Sequence, residues 1–447
     1  MIRWPISSRR RFNSMAEKFV IKGGKPLFGE IKLAGAKNAV SKMMVASLLT
    51  DEPCILENMP QIGDVDIVVE LLKTIGSEIE IVGSTAKIET REIKSSRVLE
   101  LTRRNRIPIL ALGPLLVRAG EAEVPVVGGD KIGARPVDIH LEALAKFGAQ
   151  LVITKSSYHA WAKHGLHGAE IELRFPSVGA TENTILAAVL AKGKTVIKNA
   201  ALEPEIVDLI KMLQKMGAIV ELAPPRTITI EGVKRLHGVT HRIIPDRNEA
   251  VSFACLAIAT NGRILVKEAR QDELITFLNV VRRLGAQYEV ADGGIAFWRK
   301  NSLKALSVRT DVHPGFMTDW QQPLCALLTQ AKGISTIHET IWEDRFAYAH
   351  DLNEMGAKIV VGAECPQGEE CRLAGKGFFH YATVEGPTPL RSANLTVHDL
   401  RSGMLDVLAA LIAEGVSEVE GIHEIDRGYE HIDGRLRQLG ADIRRLT

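Results

Sequence analysis

The stretch Leu213-Gln-Lys-Met-Gly217-Ala-Ile-Val220 carries the pattern on which the fold of this 447-residue chain depends. An amphipathic segment ends in a hydrophobic residue, a glycine and a small residue follow, and apolar and polar residues then alternate. Glycine at such a point is typical of a left-handed helix C-cap, and the alternation is typical of a half-buried strand. The stretch therefore predicts a helix, a tight turn and a strand.

The same pattern recurs along the chain, at glycines roughly 70 residues apart. The other five copies are centred on Gly76, Gly148, Gly285, Gly356 and Gly440. A companion half-unit precedes most copies and consists of an alanine- and leucine-rich helix, a glycine and a strand, as at Gly193, Gly262 and Gly415. Because these helices are apolar on nearly all sides, we expect them at the centre of each domain with the sheets outside.

Six helix-turn-strand units predict an α/β protein of two domains with three units each. Solenoid stacking is the alternative, but solenoid repeats are shorter, at roughly 20 to 50 residues. We expect an N-terminal domain at residues 37–244 with a mobile loop at 126–140, and a C-terminal, catalytic half formed by residues 17–36 and 245–447. Residues 1–16 are basic and are predicted to be a disordered extension.

Composition narrows the class of protein. With 46% hydrophobic and 25% charged residues and a net charge of +2, the chain has no general attraction to nucleic acid. The sequence contains no apolar run near the roughly 18 residues of a membrane span, so we expect no membrane association and a cytoplasmic location.

The sequence also suggests chemistry without a cofactor. It has no Walker loop, dinucleotide fingerprint or HExxH motif, and its five cysteines show no CxxC pair with metal spacing. We therefore expect no cofactor and no metal, and reduced thiols. Cys365 and Cys371 share one loop and could pair or remain free.

Polar residues accumulate at two places where the repeat does not require them. Lys37 begins the first apolar helix, where a cation and backbone N–H groups can act together on a phosphate. The stretch from Gly128 to His140 combines three glycines with Asp130, Lys131 and Arg135. Such a loop can hold an anion and move.

Arginines recur beside aspartates near the junctions between units, in Asp246-Arg247, Asp344-Arg345, Asp399-Leu-Arg401 and Asp426-Arg427. Singly, each is more typical of a surface salt bridge. Arginines at equivalent positions of several repeat units would nevertheless converge on one cleft. Convergent guanidinium groups suit a substrate that carries phosphate and carboxylate.

These motifs together resemble one enzyme family. The matching segments are Gly35-Ala-Lys37-Asn38-Ala39, residues 128–140, Ser177-Val-Gly-Ala-Thr-Glu-Asn183, Glu203-Pro-Glu205-Ile-Val-Asp208, Pro245-Asp-Arg247, Thr318-Asp319, Glu343-Asp-Arg345-Phe346, Asp399-Leu-Arg401 and Ile425-Asp-Arg427-Gly-Tyr-Glu430. From about residue 17 to the C-terminus, the chain is similar to the enolpyruvyl transferases, and within them to the UDP-N-acetylglucosamine 1-carboxyvinyltransferases. The resemblance implies a two-domain inside-out α/β barrel built from six βαβαββ units.

The resemblance also implies a reaction. The enolpyruvyl group of phosphoenolpyruvate would pass to the 3-hydroxyl of UDP-N-acetylglucosamine with release of phosphate, which is the first committed step of peptidoglycan synthesis. The implied partners are these two small molecules, and the oligomeric state stays open. The runner-up is a shikimate-type enolpyruvyl transferase, whose Asn-Ala-Gly-Thr-Ala-x-Arg stretch is missing here. A non-catalytic sugar-nucleotide sensor on the same fold is a further alternative.

Site residues carry over by position. Lys37, Arg135 and Arg427 would hold the phosphate and carboxylate of phosphoenolpyruvate, assisted by Arg345 and Arg401. Asp319 would be the base at the sugar hydroxyl, and Asn38 would contact the reacting centre. The remaining implied contacts are Ser177, Val178 and Gly179 at the uridine diphosphate, the backbone of Ile341 at the sugar nucleotide, and a further arginine at Arg106.

The chain departs from the family pattern in three places. Most members carry cysteine at the position of Asp130, many carry a basic residue at that of Phe175, and the shorter members lack an insertion at residues 365–379. Lysine and arginine neighbours should lower the pKa of Asp130, whereas loop closure over a phosphorylated substrate should raise it. We hypothesise that Asp130 becomes the general acid only in the closed complex. Because carboxylates open epoxides poorly, the chain is predicted to resist fosfomycin.

Overall fold

The computed structural model describes residues 17–103, 105–126, 128, 133, 136–366 and 369–446. Thirteen α-helices occur in these ranges: α1 (Lys37–Ala46), α2 (Gly63–Ile75), α3 (Leu112–Ala119), α4 (Asp138–Lys146), α5 (Val178–Ala188), α6 (Pro204–Lys215), α7 (Arg247–Ala259), α8 (Ile275–Arg283), α9 (Gln321–Leu328), α10 (Ala349–Glu354), α11 (Leu400–Ile412), α12 (His423–Asp426) and α13 (Ile432–Gln438). A 3₁₀ turn at Thr318–Trp320 precedes α9.

The described residues also form 24 strands. They are β1 (Lys18–Lys22), β2 (Phe28–Lys32), β3 (Cys54–Glu57), β4 (Glu78–Val82), β5 (Thr85–Glu89), β6 (Glu121–Pro125), β7 (Gln150–Ile153), β8 (Ser157–Trp161), β9 (Glu170–Glu172), β10 (Lys194–Lys198), β11 (Ile219–Ala223), β12 (Thr227–Glu231), β13 (Val239–Arg242), β14 (Arg263–Lys267), β15 (Gln287–Ala291), β16 (Gly294–Trp298), β17 (Leu303–Lys304), β18 (Ser307–Arg309), β19 (Ala331–His338), β20 (Lys358–Gly362), β21 (Tyr381–Gly386), β22 (Asn394–Thr396), β23 (Val416–Glu420) and β24 (Asp442–Leu446).

The six repeat glycines have the conformation that the sequence predicts. Their φ angles lie between 81° and 122°, a region that side chains with a Cβ disfavour. Each glycine lies one or two residues after the end of a helix, and a strand begins two residues later: β4, β7, β11, β15, β20 and β24. Every one of these strands lies at the edge of its sheet. The predicted helix-turn-strand unit is therefore confirmed in all six copies.

The strands form six sheets among the described residues, three around each of two hydrophobic cores. One core is surrounded by the sheets β13-β3-β5-β4, β6-β8-β7 and β11-β12-β10-β9, and the other by β15-β16-β14-β2, β22-β23-β1-β24 and β17-β19-β21-β20 with β18 beside β19. In the N-terminal segment, β1 pairs with β23 and β24, and β2 pairs with β14. The first strands of the chain thus complete sheets that otherwise come from its second half.

Buried helices lie inside these sheets. Every residue of α7 and α9 is buried, as are all residues of α5 after its first two. Such helices have no polar face to expose, so the sheets must cover them. The inside-out α/β barrel architecture with six units is thus confirmed. The first core draws on residues 36–243 and the second on residues 19–33 and 250–443. The predicted domain boundaries stay a proposal, which these two cores support.

None of the helices in the described part of the chain is long and apolar enough to cross a membrane.

Replacing a repeat glycine should destabilise the fold through backbone conformation alone. At Gly285 (φ +81°), an added Cβ would meet no atom within 4 Å, so Gly285→Ala changes strain without a clash. We expect it to lower the free energy of unfolding by about 1 to 2 kcal/mol, measured by chemical denaturation.

Gly434 provides the matched control for this substitution. It lies inside α13, has no positive φ, and an added Cβ would stay 3.7 Å from the nearest atom, on Arg437. Gly434→Ala should raise the free energy of unfolding by about 0.5 to 1 kcal/mol. Equal effects of the two substitutions would contradict the left-handed cap.

Candidate functional site

A cavity of about 320 Å³ lies between the two cores and takes lining residues from both. Eleven residues that the sequence predicts for the site line it: Lys37, Asn38, Arg106, Ser177, Val178, Gly179, Asp319, Ile341, Arg345, Arg401 and Arg427. Arg247 lines it as well. The other two predicted residues, Asp130 and Arg135, lie outside the described residues. The arrangement brings the predicted cations and Asp319 to one place, while their roles stay predictions.

One half of the cavity is organised by the carboxylate of Asp64. Its Oδ2 lies 2.9 Å from Nζ of Lys37, and its Oδ1 lies 3.1 Å from Nε of Arg427. Burial alone would raise the pKa of Asp64, but the two cations lower it below its usual value. Asp64 and Lys37 belong to elements of the first core and Arg427 to the second, so this ion triad connects the two.

The start of α1 positions Lys37 within this triad. The N–H of Lys37 donates to Oδ2 of Asp246 (2.9 Å). Asp246 also caps α7, where its Oδ1 accepts from the N–H groups of Asn248 and Glu249. One buried carboxylate therefore fixes the first turns of two helices, and it fixes the direction in which Lys37 enters the cavity.

Asp319 organises the other half of the cavity. Its Oδ1 accepts from Arg345 (2.6 Å), and its Oδ2 lies 3.3 Å from Nε of Arg401. Burial would raise the pKa of Asp319, but Arg401, Arg345 and Lys37 together hold it well below its usual range. Asp319 is consequently ionised, and it is a weak base for as long as both arginines stay on it.

Arg401 is itself held from two sides. Asp399 forms a capping box at the start of α11 and accepts from the N–H of Arg401 (2.9 Å). The guanidinium donates to the hydroxyl of Tyr429 (3.1 Å). The helix start and the tyrosine thus leave this arginine little freedom, and they place it against Asp319.

The opposite wall of the cavity is the N-terminus of α5. Ser177 caps this helix through its Oγ, which accepts from the N–H of Ala180 (3.3 Å), and Val178 and Gly179 form the first turn. Helix N-termini present unpaired N–H groups and a positive partial charge, and so favour anions. Gly179 faces His140: an added Cβ would lie 3.0 Å from the imidazole. A larger residue there would push against the ring.

Ile341 lies in a turn whose backbone groups already have partners. Its N–H donates to Oε1 of Glu339 (2.7 Å), and the same oxygen accepts from the N–H of Trp342 (3.0 Å). Its carbonyl oxygen accepts from Arg372. A ligand that contacts the backbone of Ile341 would therefore share the carbonyl oxygen with Arg372.

Three residues of this site were missed by the sequence analysis: Asp64, Glu339 and Arg372. Arg372 belongs to the insertion, donates to the carbonyl of Thr340 (3.2 Å) and lies over the ring of Phe175, 5.6 Å from its centroid. Arg372 therefore places a positive charge near position 175, where the resemblance implies a basic residue and this chain has phenylalanine. Only the chain position of Asp64, in the first turn of an amphipathic helix, gave a usable signal, and that position is common for a solvated acid.

A metal ion has no evident place in this cavity. Across the described ranges, the groups of histidine, cysteine and acidic side chains with suitable mutual distances contain none of the residues that line it. Several cations of the cavity are paired with the carboxylates of Asp64 and Asp319, which is an arrangement for anionic ligands.

The comparisons with known proteins agree with this picture. Residues 21–436 match the family model for EPSP synthase (3-phosphoshikimate 1-carboxyvinyltransferase). The chain is 47% identical over 432 residues to the UDP-N-acetylglucosamine 1-carboxyvinyltransferase of Protochlamydia amoebophila, covering 95% of this chain and 93% of the relative. It is 48% identical over 423 residues to that of Chlamydia pneumoniae, covering 93% and 92%.

Solved structures share the fold. The enolpyruvyl transferase NikO from Streptomyces tendae superposes with a TM-score of 0.83 at 23% identity, covering 97% of this chain and 99% of that one. An EPSP synthase from Acinetobacter baumannii gives a TM-score of 0.71 at 16% identity, covering 96% and 99%. These solved structures show that the fold is common to enolpyruvyl transferases. The sequence identity of 47% and 48% to the two relatives indicates which enzymes within that family the chain resembles. The chain belongs to the enolpyruvyl transferase family and, within it, to the UDP-N-acetylglucosamine 1-carboxyvinyltransferases.

Proposed function

We propose that this enzyme transfers the enolpyruvyl group of phosphoenolpyruvate to the 3-hydroxyl of UDP-N-acetylglucosamine, releases phosphate, and thereby begins peptidoglycan synthesis. The observation that carries the proposal is a pair of carboxylates in one cavity, the buried Asp64 and the partly buried Asp319, each held between two cations. A substrate with a phosphate and a carboxylate can take over those cations. The N-terminus of α5 then offers N–H groups to the diphosphate of the sugar nucleotide.

Each step of the proposed reaction has a group to perform it. The sugar hydroxyl adds to C2 of phosphoenolpyruvate and gives its proton to Asp319, while Asp130 protonates C3. In the second step C3 returns a proton to the carboxylate of Asp130, and phosphate leaves with the proton held by Asp319, which restores the double bond in the new enol ether and both carboxyl groups. Addition followed by elimination conserves every atom and needs no redox partner.

The pKa of Asp319 links substrate binding to base strength. With Arg345 and Arg401 on its oxygens, the carboxylate is too weak a base to take a proton from a hydroxyl. When the phosphate and carboxylate of phosphoenolpyruvate compete with Asp319 for these arginines, the pKa of Asp319 rises. The base is thus activated by the second substrate and not by the protein alone.

A contact at Gly133 supports the proposed role of the stretch at residues 126–140 near the cleft. Gly133, three residues after Asp130 in the sequence, lies so close to Glu343 that an added Cβ would collide with its carboxylate. In the proposal, Asp130 acts from this stretch as the general acid. Its carboxyl group also replaces the thiol that fosfomycin alkylates in most members of the family.

Asp319→Asn should remove the base and keep the shape of the side chain. We expect kcat to fall by about 10²- to 10⁴-fold in a phosphate-release assay, because general base catalysis contributes about that much. The Kd for UDP-N-acetylglucosamine, measured by calorimetry, should change little. The unsubstituted enzyme, tested in the same assay with shikimate 3-phosphate as acceptor, should give no turnover. Turnover with that acceptor would favour the shikimate-type alternative.

The low pKa of Asp319 also fixes the sign of its effect on stability. Because its folded-state pKa lies below the unfolded value of about 4, the stabilisation is fully present above that value and is lost as the pH falls through the folded-state pKa. The unfolding free energies of the native chain and Asp319→Asn should therefore differ by a constant amount between pH 5 and pH 8. A difference that shrinks within that range would contradict the ionised carboxylate.

Substitutions at position 130 test the acid and the inhibitor together. Asp130→Asn should abolish turnover and leave sugar-nucleotide binding intact. Asp130→Cys should restore turnover and add rapid covalent labelling by fosfomycin, seen as a mass increase of the intact protein. The unsubstituted chain should show no such label after the same exposure; labelling of its residue 130 would contradict the predicted resistance.

Arg372→Met tests whether the insertion contributes to nucleotide binding. We expect KM for UDP-N-acetylglucosamine to rise by about 10-fold, the effect of losing one charged hydrogen bond, with KM for phosphoenolpyruvate unchanged. Lys376→Met, an exposed cation of the same insertion, is the matched control and should leave both constants unchanged. If both substitutions raised the KM for UDP-N-acetylglucosamine equally, Arg372 would act only through the overall positive charge of the insertion and not through a specific contact.

A further inference from the structure

Four side chains with metal-binding atoms meet at the insertion, away from the cavity. His338 ends β19, Cys365 and Cys371 lie in the insertion, and His380 directly precedes β21. The two sulfur atoms and one ring nitrogen from each histidine all lie within 4.8 Å of one another. None of the four residues lines the cavity described above.

The distances within this cluster suit one small cation. Sγ of Cys365 lies 3.5 Å from Sγ of Cys371 and 3.2 Å from Nε2 of His380. Tetrahedral zinc binds sulfur and nitrogen at about 2.0 to 2.3 Å, which places neighbouring ligand atoms about 3.3 to 3.8 Å apart. The two sulfurs and this nitrogen are therefore already close to the spacing of a zinc site.

Hydrogen bonds fix both imidazoles in the form that a metal ligand requires. Nδ1 of His338 lies 2.8 Å from a carboxylate oxygen of Glu369, and Nδ1 of His380 lies 2.7 Å from the carbonyl oxygen of Phe378. Both partners are acceptors, so each Nδ1 carries the proton and each Nε2 has a free lone pair. Metal-binding histidines in proteins have this kind of partner on their second nitrogen.

The second ring nitrogen of His338 provides an independent observation. His338 is only 2% exposed, and its Nε2 is buried with no hydrogen-bond partner among the described residues. A buried polar atom without a partner is costly and calls for an explanation. A cation shared with Cys365, Cys371 and His380 supplies the missing partner.

We propose that His338, Cys365, Cys371 and His380 bind one zinc ion in tetrahedral coordination. Two thiolates and two neutral imidazoles form a closed set of four protein ligands, which is the composition of structural zinc sites. Binding releases the two thiol protons, so the thiolates balance the charge of the dication. The N–H of Leu373 donates to Sγ of Cys371 (3.3 Å) and stabilises the negative sulfur. This proposal differs from the sequence-based expectation of no metal.

The ion would fasten the insertion to the sheet that borders the cavity. His338 and His380 belong to the ends of neighbouring strands, β19 and β21, and the cysteines belong to the loop. Arg372 directly follows the ligand Cys371 and contacts Thr340, Ile341 and Phe175. Metal binding would thus hold Arg372 at the cavity. Only this consequence depends on the proposed function; the metal site does not.

The metal content of the full-length protein tests the proposal. The chain is purified under reducing, oxygen-free conditions with zinc in the medium and no chelator, and its metals are counted by plasma mass spectrometry. We expect about one zinc per chain, and loss of the ion in Cys365→Ser, Cys371→Ser and His380→Ala. His350→Ala is the matched control, because His350 belongs to an exposed group with Asp351 and Glu354 and should leave zinc bound.

Glu369→Gln tests the orientation of His338 without removing a ligand. We expect zinc affinity, measured by competition with a chromogenic chelator, to fall by about 10- to 100-fold. If the ligand variants unfold, the unsubstituted chain is titrated with Co²⁺ instead. Visible absorption bands typical of tetrahedral, thiolate-bound Co²⁺ would support the site. Absence of these bands, no zinc in the reduced protein, or a Cys365–Cys371 disulfide in that protein would overturn it.

These readouts separate the two proposals. Zinc bound to a protein without enolpyruvyl transfer would leave the metal site standing and reject the proposed function. Transfer activity in a protein that binds no zinc would reject the metal site alone.

Discussion

The ion pair between Asp64 and Arg427 is the contact on which the rest of the site depends, because it joins the two cores across the cavity. Burying these charges is costly, and the cost is offset only while each has a partner of opposite sign. Lys37 completes the set on the other oxygen of Asp64. The free protein therefore keeps its cations in place by means of its own carboxylates. An anionic substrate binds by joining or replacing those carboxylates, so the charges need little rearrangement.

The same exchange would allow Asp319, in the role proposed for it, to be both structural and catalytic. Asp319 is held ionised by Arg345 and Arg401, and this pairing makes it a poor proton acceptor. Its basicity depends on where the arginines point, and that depends on whether another anion is present. Arg401 is anchored by Tyr429 and by the start of α11, so it can shift only a short distance. In the proposed mechanism, substrate binding and activation of the base are thus coupled through these two arginine side chains.

Much of the fold could be predicted because its signals are local. Gly217 and its five counterparts mark where a helix must end, and the alternation after each marks an edge strand. The site was predictable only where short motifs carry its residues, as in Ser177-Val178-Gly179. Asp64 escaped prediction since its partner Arg427 comes from a distant segment. Arg372 escaped it because an insertion has no counterpart in the repeat, and His338 because no spacing links it to Cys365.

The departure at Phe175 and the insertion are best understood together. Phe175 stands where the family resemblance implies a basic residue near the nucleotide, and Arg372 places a cation over that same ring. A long side chain on an exposed loop recognises a ligand well only if the loop is held, since otherwise ordering it opposes binding. The contacts of Arg372 with the carbonyls of Thr340 and Ile341 supply part of that order. A metal ion at the adjacent Cys371 would supply the rest, which gives a physical reason for two cysteines and two histidines to meet at this loop.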